Sequence, residues 1–141
     1  MKDTLQPGLS YKLEFTVPHG KTVPHLYPES DIYRSMPEVF ATGYMVGLFE
    51  WACVELMRDH LDDGEGSLGT HIDVSHEAAT PPGLIVTAKA KLVQRDGRKL
   101  IFEVEAHDGV DMIGRGRHER VCVEWARFND KVAEKATDTP N

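Results

Sequence analysis

In the stretch ATGYMVGLFEWACVEL, residues 41–56, one carboxylate, Glu50, interrupts a run that is otherwise almost wholly apolar. Its neighbours at helical spacing are Gly43, Val46, Gly47, Cys53, Val54 and Met57, each apolar or without a side chain. That spacing turns Glu50 toward the core. Glu55 differs, because its neighbours include Trp51, Arg58, Asp59 and Asp62, the composition of a solvated face. A carboxylate placed like Glu50 must find hydrogen-bond donors or shift its pKa upward. Two roles are open to it: a structural carboxylate satisfied by backbone or by a buried arginine, or a catalytic one.

The partner that would make it catalytic is a histidine. In THIDVSH, residues 70–76, strand alternation puts Ile72, Val74 and His76 on one face and His71, Asp73 and Ser75 on the other. If the apolar face packs on the helix, His76 and Glu50 point into the same space as a general acid/base pair; otherwise His76 is a satisfied core histidine. Thr42 begins the helix, as an N-cap, a site hydroxyl or both. Eight helical residues separate it from Glu50, a rise of roughly 12 Å, so the two cannot touch directly. His76, a substrate or a second subunit would have to bridge them. Gly69 in GSLGT either offers a backbone N–H to a developing oxyanion or begins a strand. Arg120 in RHERVCV is a further candidate, for which surface ion pairing is the ordinary fate. No metal is expected: His71 and His76 face opposite ways and no cysteine lies beside either.

These residues need elements to hold them. YKLEFTV, residues 11–17, alternates like a half-buried strand ended by Pro18. After a loop rich in Pro and His, Ser35 with Pro37 and Glu38 forms a helix-start pattern. The main helix runs from about Gly43 to His60 and stops in a loop, LDDGEGSLG. Four strand signals follow: THIDVSHEA, LIVTAKAKLVQ, RKLIFEVEAHD and DMIGRGRHERVCVEWARF. Asp96-Gly97 and Asp108-Gly109 suit tight hairpins between them. From Asn129 onward the chain reads as a short polar helix that frays. One strand, one long apolar helix and four antiparallel strands make an α+β domain in which a curled antiparallel sheet wraps a long central helix.

Composition bounds the rest. A chain of 141 residues, 40% hydrophobic and 28% charged, is expected to form one domain over residues 1–141. A net charge of −7 without a basic stripe argues against nucleic acid. No apolar run is long enough for a membrane span and the N-terminal MKDTLQPG lacks an export signal, so a cytoplasmic location is expected. Cys53 and Cys122 have no CxxC spacing and read as reduced, buried packing residues. An open sheet edge makes a homodimer the natural assembly.

The segments HLYPES, PEVFATG, VGLFEWACV, GEGSLGT, ATPPG, AHDGVD and HERVCV resemble the fluoroacetyl-CoA thioesterase family of hot-dog enzymes, collinearly over nearly the whole chain. The resemblance implies hydrolysis of an acyl-CoA thioester to a carboxylate and CoA with neither metal nor cofactor, fluoroacetyl-CoA being the leading substrate. It implies Thr42, Glu50 and His76 as the catalytic threesome, Gly69 at the thioester carbonyl and Arg120 near the substrate. It also implies an aromatic lid whose matching positions are Tyr33 and Met36, where the family pattern calls for phenylalanine at both. Tyr33 keeps a ring but adds a hydroxyl, and Met36 puts a flexible thioether in place of a rigid ring. Two alternatives stay open: a short-chain acyl-CoA thioesterase without halogen selectivity, and a non-catalytic acyl-CoA-binding domain.

Overall fold

The computed structural model describes residues 1–138. Five strands form one antiparallel sheet: β1 (Ser10–Thr16), β2 (Glu65–Val74), β3 (Ile85–Asp96), β4 (Lys99–His107) and β5 (Met112–Glu124). Their order is β1-β3-β4-β5-β2, so β1 and β2 are the two edges. The Asp96-Gly97 and Asp108-Gly109 turns join β3 to β4 and β4 to β5, as their composition predicts, with the glycines at φ +59 and +91. A short helix, α1 (Asp31–Arg34), and the long helix, α2 (Thr42–Met57), precede β2, and α3 (Trp125–Thr137) follows β5.

The core lies between α2 and the sheet. Met45, Leu48, Phe49, Ala52, Cys53, Leu56 and Met57 recur at three- and four-residue spacing on α2 and are buried. They meet Val86, Ala88, Ala90 and Leu92 of β3 and Leu100, Phe102, Val104 and Ala106 of β4, between which Lys89, Lys91, Glu103 and Glu105 face outward. Each large side chain buried here contributes roughly 1.5–3 kcal/mol. Cys53 and Cys122 are both free and buried, as expected.

Several boundaries differ from the sequence reading. The helix-start pattern at Ser35 marks the end of a helix instead. Ser30 caps α1 by accepting from the Tyr33 amide at 3.2 Å, while the Ser35 hydroxyl donates back to the Ile32 carbonyl at 2.7 Å. Pro37 disfavours the helical conformation at Met36, so α1 cannot run on. Helix α2 ends at Met57 and tightens into a 3₁₀ turn, Arg58–His60. The segment expected to be a loop belongs partly to β2, because Glu65–Leu68 pair with Val121–Glu124. Trp125 to Phe128, expected as strand, opens α3. The Trp125 indole occupies the space where a Cβ of Gly66 would stand, and its ring meets that of Phe128 edge-on at 6.0 Å. The tail expected to be a fraying polar helix from Asn129 is helical to Thr137, and its last residues, 139–141, lie outside the described residues.

Candidate active site

The start of α2 and the end of β2 meet at one place. Ala41, in extended conformation, is the N-cap without a side-chain bond, so Thr42 is the first helical residue and not the cap. The approach to it is fixed by two backbone bonds, Phe40 N–H to the Thr80 carbonyl at 2.8 Å and Ala41 N–H to the Lys21 carbonyl at 3.1 Å. Relieved of capping, the Thr42 hydroxyl hydrogen-bonds His76 Nδ1 at 2.7 Å.

His76 lies just past β2 but is held as firmly as a strand residue. Its neighbours anchor to β5 on both sides: Ser75 N–H to the Arg115 carbonyl at 2.8 Å and Glu77 N–H to the Ile113 carbonyl at 2.6 Å. Glu77 pairs with Arg115 on the outer face. The approach of β2 to β5 depends on Gly114 and Gly116, where a Cβ would stand 2.5 Å from the Ser75 carbonyl oxygen and 2.0 Å from that of Asp73. Burial holds the His76 pKa below the ordinary histidine value, with the Ala78 backbone working the other way. Its Nε2 is shielded from solvent and has no hydrogen-bond partner among the described residues. A neutral imidazole in that state has one nitrogen oriented by Thr42 and the other left unpaired, with its proton or lone pair uncommitted.

Glu50 belongs to a second cluster, two turns along α2. Its side chain is 41% exposed, whereas that of Glu55 is 15% exposed, the reverse of the order expected from their helical neighbours. Glu55 is covered by its own ion pair with Arg58 and by the Trp51 indole N–H. Glu50 faces an open groove of about 440 Å³, lined also by Val46, Gly69, His71, Ile72 and His118. The expected meeting of Glu50 with His76 does not occur within the chain: no hydrogen bond or ion pair joins them among the described residues, and Glu50 accepts from Arg120 Nη1 at 3.0 Å. Ile72 pairs with the buried His118 and so shares its inner face, as alternation places it, but on the free edge strand it lines the groove and is 41% exposed.

Arg120 is not a surface residue. It is 4% exposed, with Nε donating to Ser67 Oγ at 2.8 Å and Nη2 to the Ser67 carbonyl at 2.9 Å. Burial without a partner would be prohibitive for a guanidinium, and Glu50 supplies the countercharge. Gly69 makes room for that pairing, since a Cβ there would stand 2.6 Å from Glu50 Oε1. His118, which the sequence reading passed over, completes the cluster. The signal was available: in HERV, His118 and Arg120 are two apart on one strand and so share a face.

Tyr33 and Met36 lie on and just after α1, away from both clusters in their contacts. The Tyr33 ring packs at a tilt against Tyr27, with centroids 5.6 Å apart, and Met36 is 38% exposed. Leu26, from the same stretch, reaches 3.4 Å from where a Cβ of Gly43 would stand, so this segment folds back over the start of α2. Among the described residues no three His, Cys, Asp or Glu side chains gather as a metal-ligand set, and no helix is long and apolar enough to cross a membrane.

The comparisons with known proteins agree with one another. Residues 25–126 match the model of the FlK family, described as fluoroacetyl-CoA-specific thioesterase. A fluoroacetyl-CoA thioesterase from Streptantibioticus cattleyicolor is 56% identical over 135 residues, 96% of this chain and 97% of the relative. The solved structure of a variant of the fluoroacetyl-CoA thioesterase FlK in complex with fluoroacetate is 54% identical and superposes with a TM-score of 0.91, over 96% of this chain and all of that one. A hot-dog-like protein from Thermanaerovibrio acidaminovorans shares the fold at 21% identity, with a TM-score of 0.79 over 96% of this chain and 94% of its own.

Proposed function

The chain belongs to the fluoroacetyl-CoA-specific thioesterase family, and from that membership we propose that it hydrolyses fluoroacetyl-CoA to fluoroacetate and CoA. The observation that carries the chemistry is the Thr42–His76 pair, whose imidazole Nε2 is held without a partner. His76 transfers the proton, Thr42 orients it, and Glu50, steadied by Arg120, is the nucleophile or the base that activates water. Gly69 presents its backbone N–H toward the thioester carbonyl, and Tyr33 and Met36 form the lid over the acyl group. No metal or cofactor enters this scheme.

The two clusters act on one substrate if two subunits combine. Strand β2 is a free edge, and a two-fold axis near Ile72 and Asp73 would run it antiparallel to its copy. Reversal of direction then brings the His76 end of one strand beside the Gly69 and Glu50 region of the other. The protein is accordingly a homodimer with composite sites in this reading. Its two free cysteines suit a reducing, cytoplasmic setting.

Subunit complementation tests this. Glu50→Gln and His76→Ala homodimers should each lose thioester hydrolysis while keeping the parent's circular dichroism. Mixing and re-equilibrating them in equal amounts should restore roughly a quarter of parental turnover, because half the dimers are mixed and each of those holds one intact site. No recovery on mixing would confine the site to one subunit, and full turnover by either homodimer would remove that residue from the chemistry.

A further inference from the structure

His118 is among the most buried polar residues of the chain at 2% exposure, and nothing in the reaction scheme uses it. Its surroundings settle its protonation. Nδ1 lies 2.8 Å from the His71 carbonyl oxygen, which can only accept, so Nδ1 carries the hydrogen. Nε2 lies 3.1 Å from Arg120 Nη1, which can only donate, so Nε2 carries none. The same Nη1 reaches Glu50 Oε1 at 3.0 Å. We infer that His118 is a positioning residue: held in its neutral Nδ1–H form by the His71 carbonyl, it accepts from Arg120 and fixes the guanidinium that aims Glu50. The inference rests on the reading of Glu50 as a reacting group.

The groups facing this imidazole agree with a neutral ring. Arg120 is in contact with it; Glu50 comes from α2, Glu119 from its own strand and His71 from β2. Burial and the Arg120 charge lower its pKa, against the opposing pull of the His71 carbonyl, Glu50 and Glu119. A protonated His118 would push Arg120 away and offer it no lone pair to accept its hydrogen. Ser67 holds the other edge of the guanidinium, so its Nη1 corner is left to His118 and Glu50.

Two substitutions separate positioning from packing. In His118→Gln the amide oxygen can stand where Nε2 stood and accept from Arg120. In His118→Asn the shorter amide can replace only Nδ1, toward the His71 carbonyl. We expect His118→Gln to keep kcat for fluoroacetyl-CoA within about threefold of the parent and His118→Asn to lose roughly tenfold or more in kcat with KM little changed. Long-range nitrogen–proton NMR of the parent should show the Nδ1–H tautomer at neutral pH. An Nε2–H or doubly protonated ring would overturn the inference, as would equal kcat losses in both variants that follow their losses in melting temperature. Glu50→Gln is the control: if it is inactive while His118→Asn is fully active, only the role of His118 falls, whereas an active Glu50→Gln overturns the reading of Glu50 and this inference together.

Discussion

Gly69 and Glu50 are so close that a methyl group on the Gly69 Cα would stand 2.6 Å from Glu50 Oε1 and 3.0 Å from the His118 ring. The carboxylate is the free end of a side chain and can swing aside, which makes Gly69→Ala a way to misplace Glu50 without dismantling the fold. The expected outcome is a loss in kcat of roughly tenfold to a hundredfold, the usual cost of about 1 Å of misplacement, with a small change in melting temperature. Parallel steady-state kinetics and thermal melts check it; unchanged kcat would show that the carboxylate position is not limiting.

The His76 pKa is lowered, so its neutral form persists to a pH below the ordinary value of 6.5. Proton transfer needs that form. The acid limb of kcat/KM should therefore lie below pH 6.5. Thr42→Val, which removes the hydroxyl at Nδ1, should lower kcat and move the limb. A limb above 6.5, or a Thr42→Val profile like the parent's, would count against the pair.

Stability has a pH dependence of definite sign. Burial lowers the folded-state pKa of both His76 and His118 below the unfolded value. Below about pH 6.5 the unfolded chain then binds more protons than the folded one. Stability is fully present above that pH and is lost as pH falls toward the folded pKa values. Denaturant titrations at pH 7 and pH 5 should show the loss, and His118→Gln should reduce it. Equal slopes in parent and variant would mean that His118 does not contribute.

Trp125 fastens α3 to the sheet through Gly66, where a Cβ would stand 1.9 Å from the indole. Gly66→Ala should cost about 1–3 kcal/mol by displacing the ring. In a Trp125→Ala background the same change should cost less, since the obstacle is gone. Chemical denaturation of the four chains completes the cycle, and additive effects would show that the two residues do not couple.

Met36 is the flexible member of the proposed lid. Binding contacts alone discriminate a fluoromethyl from a methyl group by about 1–3 kcal/mol, so most of the selectivity should come from turnover on the carbonyl that fluorine activates. Met36→Phe should raise the kcat/KM ratio of fluoroacetyl-CoA to acetyl-CoA mainly by changing acyl binding and release. Equal kcat/KM values for the two thioesters in the parent would sink the fluorine preference; a ratio untouched by Met36→Phe would take the lid out of the account.

Periodicity made the elements legible. Alternation in LIVTAKAKLVQ, the Asp-Gly turns and the apolar stripe of α2 are local patterns, and local patterns fix secondary structure and the side each residue faces. The boundaries that moved are those where a distant partner decided: β2 begins at Glu65 because β5 offers a ladder there, and α3 takes Trp125, whose ring fills the space left by the missing side chain of Gly66. Thr42, Glu50, His76, Gly69 and Arg120 stood out by residue type and spacing alone, and family resemblance gave them roles.

What sequence spacing did not carry was which of these residues touch. The apolar neighbours of Glu50 along α2 pointed it into the core, yet the groove beside β2 leaves it half exposed and Arg120 takes it as countercharge. His76 looked like its partner and is bonded to Thr42 instead. His118 drew no attention until the His71 carbonyl and the Arg120 guanidinium fixed its tautomer. Residue type, period and turn chemistry are properties of neighbours in the chain, and sequence determined them by itself. Pairing, burial and protonation depend on strands far apart in the chain coming into register, and only the tertiary structure could decide those.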